Sequence, residues 1–193
     1  AESAAPEWPQ VLPGAKVVVF TAVSFAGPNG ARIEALSLTT GKRRVLARGG
    51  TYGRYLPNRY VTYVNQGTLY ALPFDLDRME ASGTPTAVLE GVSYSSTFGF
   101  AQLDFSRSGA LVYRKNGGGQ VIAEWLYASR KTEPLHAKPG RYLWPRVSPD
   151  GERLAFQVTE SGLASVWIYD WRTDQTTRLT ATAGRSPFPL SSP

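Results

Sequence analysis

The chain has 193 residues, 42% of them hydrophobic and 12% aromatic, and a formal net charge of +6, which suits one large domain or two small ones and excludes global disorder. Its 19 glycines and 14 prolines disfavour long helices and favour short strands joined by turns. The absence of cysteine excludes disulfide staples, thiolate metal sites and a cysteine nucleophile.

Residues 1–7, AESAAPE, are small and polar and contain a proline. They read as the end of a linker without a secretory leader pattern, so the natural protein is expected to begin earlier. Trp8-Pro9, followed by Leu12-Pro13, opens the first unit, and its strand carries Phe20. The segment ALSLTTGKRRVL (35–46) supplies an alternating strand, a polar turn and a second short strand. Tyr52-Gly53, followed by Leu56-Pro57, opens a second unit with Tyr63 in its strand and LYALPFDLD (69–77) in the later slot. An insert, RMEASGTPTAV (78–88), separates its last strands. Ser106-Arg107-Ser108-Gly109 and Tyr113 mark a third unit, with EWLYASRKTEPL (124–135) behind them. Trp144-Pro145, the turn Ser148-Pro149-Asp150-Gly151, Phe156 and WIYDWRTDQTTRL (167–179) make a fourth. Phe188-Pro189 and Ser192-Pro193 repeat its opening.

The four aromatics Phe20, Tyr63, Tyr113 and Phe156 are 43, 50 and 43 residues apart. Such a period identifies a repeat architecture. Each unit holds about four short strands, and one four-stranded sheet cannot bury both faces. Radial stacking solves this and leaves only short edges exposed. The expectation is an all-β, partial β-propeller: about four blades of four antiparallel strands plus the start of a fifth. The approximate blades are 8–50, 51–97, 98–141 and 142–185, with the next beginning at 186–193. An immunoglobulin-like sandwich gives no reason for a 43-residue echo.

VSPDGERLAF (147–156) and VWIYDWRTDQTTRLT (166–180) resemble the bacterial TolB-type, WD-repeat-like propellers with their Ser-Pro-Asp-Gly signature, and the resemblance covers residues 8–193. WPQVLPGAKVVVFT, GRYLPNRYVTYVNQGTLYALPFDLDRME and AVLEGVSYSSTFGFAQLDFSRSGALVYR are similar to one group among them. These are the propellers that follow a transmembrane helix in bacterial eukaryotic-like serine/threonine protein kinases. The turns at Pro13-Gly14, Pro57-Asn58 and Ser106–Gly109 depart from the signature. The chain carries none of the kinase motifs.

Ser148, Pro149, Asp150 and Gly151 read as a structural turn: proline fixes φ, aspartate bonds its own backbone, and glycine accepts positive φ. Asp75, Asp77 and Glu80 in DLDRME lack the glycine and closing spacing of a calcium loop, so no metal is expected. His136, the one histidine, falls in EPLHAKPGR, which reads as a polar loop between units. GVSYSS (91–96) lacks the final glycine of a nucleophile elbow. NGGGQ (116–120) lacks the Gly-Lys-Ser/Thr ending of a phosphate loop and reads as a hairpin tip. GKRRVLAR (41–48), with Arg54 and Arg59 beyond, is the densest basic stretch. It suits a charged outer edge better than a nucleic-acid face, which needs aromatics beside its basic groups. Trp8, Trp125, Trp144, Trp167 and Trp171 read as packing groups.

No catalytic or cofactor-binding residue is therefore expected, and no cofactor. The expected function is a non-catalytic interaction or sensor module, part of a larger kinase-like receptor, binding a protein, a peptide or a small envelope ligand. Its alternative is the gating or accessory propeller of a peptidase or other hydrolase. No apolar run approaches the roughly 20 residues of a membrane span, and no nucleic-acid partner is expected. An extracytoplasmic, periplasmic location follows from the resemblance, with a cytoplasmic one as alternative. Self-association through exposed end blades is expected. The irregular loops 23–31, 93–99 and 115–120 are where specificity is expected to lie.

Overall fold

The computed structural model describes residues 4–24, 30–107, 110–117, 121–126, 132–140, 142–160 and 162–180, with 121–126 and 132–140 described by backbone alone. All regular structure among these residues is β-strand, and every strand pair is antiparallel. The chain divides into two compact units, Ala1–Ala101 and Gln102–Pro193.

In the first unit, β1 (Ala4–Val11), β2 (Val17–Ser24), β3 (Arg32–Ser37) and β4 (Arg43–Arg48) form one sheet in chain order. Residues 4–7, expected as linker, are instead the first half of β1, with Ala4 opposite Ser24 and Pro6 opposite Ala22. Proline fits here because β1 is an edge strand, where a missing N–H leaves no ladder bond unmade. The second sheet contains β5 (Thr51–Leu56), β6 (Tyr60–Asn65) and β7 (Thr68–Asp75). Two short strands, β8 (Glu80–Ala81) and β9 (Thr86–Leu89), both pair with β7. The insert thus leaves β7 at one end and returns to the other. A hairpin of β10 (Tyr94–Ser95) and β11 (Phe100–Ala101) follows, spanning the point where a blade boundary was expected.

The apolar faces of the two sheets supply one core. Val19, Ile33 and Ala35 of the first pack with Val61, Tyr63, Leu72 and Phe74 of the second. Burying each large aliphatic or aromatic side chain there contributes about 1.5–3 kcal/mol. In the second unit, β12 (Leu103–Phe105), β13 (Leu111–Tyr113), β14 (Val121–Leu126) and β15 (Thr132–Gly140) form one sheet. The other comprises β16 (Tyr142–Val147), β17 (Arg153–Glu160), β18 (Leu163–Asp170) and β19 (Gln175–Arg178). Val112, Val147, Leu154, Phe156 and Tyr169 share its core.

The repeat has a conformational signature. Trp8, Tyr52 and Trp144, equivalent in sequence, each have φ of 55°. At each, the pairing register of β1, β5 or β16 breaks, as at a β-bulge. The four spaced aromatics Phe20, Tyr63, Tyr113 and Phe156 are all buried. The turns after the third strands recur as well. Ser37 Oγ accepts from the Thr40 N–H, Asp75 Oδ1 from those of Asp77 and Arg78, and Asp170 Oδ1 from those of Arg172 and Thr173.

Candidate functional site

Where two blades meet, their first strands belong to different sheets, so side chains bridge them. In the first unit, Gln10 of β1 substitutes for a strand partner of β5. Its Oε1 accepts from the Tyr55 N–H at 2.8 Å, and its Nε2 donates to the Tyr55 carbonyl at 3.1 Å. The Gly53 N–H donates to the buried Thr21 hydroxyl at 3.1 Å. In the second unit, Asp104 occupies the position of Gln10, and its Oδ2 accepts from the Val147 N–H at 2.8 Å. Gln102 Oε1 accepts from the Trp144 N–H at 2.6 Å.

A distinct cluster sits beside the first of these seams. The left-handed turn of β1 and β5 brings Trp8 and Tyr52 edge to face, with ring centroids 5.5 Å apart. The Arg54 guanidinium lies 4.3 Å from the centre of the Tyr52 ring, and its Nη1 donates to the carbonyls of Trp8 and Gly53 at 2.9 and 3.3 Å. The Trp8 indole N–H donates to the Phe98 carbonyl at 3.2 Å, and the Tyr52 N–H to the Gly99 carbonyl at 3.1 Å. Glycine suits position 99: its φ is +65°, and a Cβ there would meet Val23 Cγ2 at 2.6 Å, so a larger residue would force a shift. The hairpin tip is thereby pinned. Phe98 stacks on Phe100, rings 9° from parallel and 6.5 Å apart, yet stays 68% exposed. The cluster thus joins exposed aromatic surface to a cation held in a fixed plane.

The sequence-chosen residues lie elsewhere. In Ser148–Gly151, the Gly151 N–H donates to the Ser148 carbonyl at 2.8 Å, and Gly151 has φ of +75°. The Ser148 hydroxyl donates to Asp150 Oδ1, which also accepts the Glu152 N–H, and Arg153 Nη2 reaches Oδ2 at 3.3 Å. The Ser148 hydroxyl first, then the Glu152 N–H and Arg153, bring the Asp150 carboxyl down to about 2. Asp75 caps its own turn, and Glu80 bridges Arg44 at 2.6 Å. Among the described residues no three His, Asp or Glu side chains are grouped to hold a metal ion. His136 lies in β15 opposite Ala123, not in a loop. As an edge strand, β15 tolerates its Pro134 and Pro139. In the basic stretch, Arg43 stands over the Phe20 ring at 5.5 Å and Arg44 pairs with Glu80. Trp167 Nε1 donates to Ser165 Oγ at 2.9 Å, and Trp171 packs against the second core. Residues 25–29, 118–120 and 186–193, parts of the expected loops and fifth blade, lie outside the described residues.

Phe98 falls within the loop 93–99 singled out from sequence, whereas Trp8 was read as packing and Arg54 as part of a basic stretch. The contact joining Trp8 to Phe98 spans ninety residues, and no local pattern signals it. Among the described residues no helix is long and apolar enough to cross a membrane.

No family model and no curated protein matches the chain. Solved structures do. TolB from Acinetobacter baumannii is 20% identical with a TM-score of 0.65, over 92% of this chain and 44% of that one. An oligogalacturonate lyase, solved in complex with manganese, is 11% identical with a TM-score of 0.66, over 93% and 54%. A puromycin-hydrolyzing peptidase of Mycobacterium tuberculosis is 15% identical with a TM-score of 0.66, over 96% and 30%. The chain therefore spans about half the length of these proteins or less. Likeness at such identities carries the fold alone, and that fold is a TolB-like, all-β partial β-propeller.

Proposed function

We propose that this chain is a non-catalytic propeller module that binds a protein, peptide or small ligand at the start of its first strands. The observation that carries this is the pinned hairpin tip. It holds Phe98 in solvent beside Trp8, Tyr52 and Arg54, where a buried position would otherwise be favoured for an aromatic of that size. The similarity of the first two units to kinase-associated propellers supports a place in a larger receptor, with the module outside the cytoplasm. Similarity to part of a puromycin-hydrolyzing peptidase favours a second reading, an accessory propeller whose catalytic domain is separate.

Peptide display on the immobilised chain tests the module. Selected peptides are expected to bind wild type and to lose affinity for Phe98→Ala. Turnover of generic esterase, glycosidase or peptidase substrates that persists through purification and vanishes in a single-residue variant would overturn it.

A further inference from the structure

Arg54 is only partly used by its own protein. A guanidinium has five N–H donors. Nη1 serves two backbone carbonyls, while Nε and Nη2 meet no acceptor among the described residues. No described carboxylate forms an ion pair with it, although Arg32, Arg43, Arg44, Arg78, Arg153 and Arg172 each have one. The group is half-buried, and its plane is set twice, by the Tyr52 ring and by the Trp8 carbonyl. A half-buried cation of fixed orientation with an unused donor edge matches a carboxylate, which accepts two parallel N–H bonds from such a fork. Because the orientation is already fixed, little further ordering is required on binding. The exposed Phe98, whose carbonyl accepts from the indole N–H of the same Trp8, offers an apolar surface in the same cluster.

We infer that the Trp8–Tyr52–Arg54–Phe98 cluster recognises a carboxylate adjoining an aromatic side chain in a peptide: Arg54 takes the carboxylate and Phe98 the ring. This rests on the binding-module proposal and names its ligand class. The carboxylate has two sources, a free C-terminus or an internal acidic residue, and the test separates them.

Calorimetric titration uses N-acetyl-Gly-Phe with a free acid end, the same peptide amidated, and N-acetyl-Asp-Phe amidated. The free acid is expected to bind saturably and at least about tenfold more tightly than the amide, as for a charge-assisted pair. Recovery with the Asp-Phe amide identifies an internal acidic motif; failure to recover identifies a free C-terminus. Arg54→Lys keeps the charge but loses the fork, and is expected to abolish most of the acid-over-amide preference. Phe98→Ala, at an exposed site, is expected to weaken acid and amide alike while leaving the melting temperature unchanged, so loss of folding does not confound the result. Equal binding of acid and amide, or no saturation by either up to about 10 mM, overturns the carboxylate assignment. If display-selected peptides without carboxylates still bind and depend on Phe98, the module proposal survives that failure.

Discussion

At the scale of single residues, the turn at Ser148–Gly151 makes two predictions. Gly151 has φ of +75°, where a β-branched side chain is strained by of order 1–3 kcal/mol. Gly151→Val should therefore lower stability in chemical denaturation, and Gly151→Asn, which tolerates the left-handed region, should cost visibly less. Equal losses would contradict the turn assignment. The second concerns pH. The folded carboxyl of Asp150 lies near 2, below the ordinary 3.8. Its contribution to stability is thus present above about 4 and is lost as pH falls through about 2. Because the Ser148 hydroxyl is the largest cause, Ser148→Ala should move the Asp150 titration, followed by carboxyl carbon NMR, back up toward 3.8. An unmoved titration would assign the depression to the Glu152 N–H and Arg153 instead.

At the scale of elements, the seams between first strands depend on single side chains. Gln10→Ala strands a backbone N–H and a carbonyl of Tyr55 in a half-buried place, an expected loss of about 1–3 kcal/mol. Gln10→Glu keeps the acceptor for the Tyr55 N–H and should lose less. In the second unit, Asp104→Asn retains an oxygen for the Val147 N–H and should be milder than Asp104→Ala. Denaturant midpoints check all four. If Gln10→Ala shifts the midpoint no more than Lys42→Ala on the exposed turn, the seam bonds are incidental. The sequence did not show these pairs. Gln10 and Asp104 share a repeat position but not a chemistry, and their partners lie more than forty residues away.

At the scale of the whole molecule, the propeller was legible in the sequence because each sheet must solve the same problem. A buried aromatic recurs in each blade and a capped third turn in three of them among the described residues, so Phe20, Tyr63, Tyr113 and Phe156 kept their spacing and their burial. The site was legible only in part. Its exposed tip fell in an irregular loop noticed for its irregularity. The left-handed turn of Trp8 and Tyr52 and the stacking of Arg54 arise from contacts between sheets, which leave no periodic trace. His136 went to a strand, not a loop, because prolines signal breaks without saying whether an edge strand absorbs them. The central claim is that this propeller binds a ligand at the first-strand cluster of its first unit. The most direct measurement is backbone amide chemical-shift mapping of the 193-residue chain titrated with a display-selected peptide. The expected result is saturable shifts concentrated at Trp8, Tyr52–Arg54 and Phe98–Phe100, abolished by Phe98→Ala; shifts confined to other residues, with those amides unmoved, would contradict it.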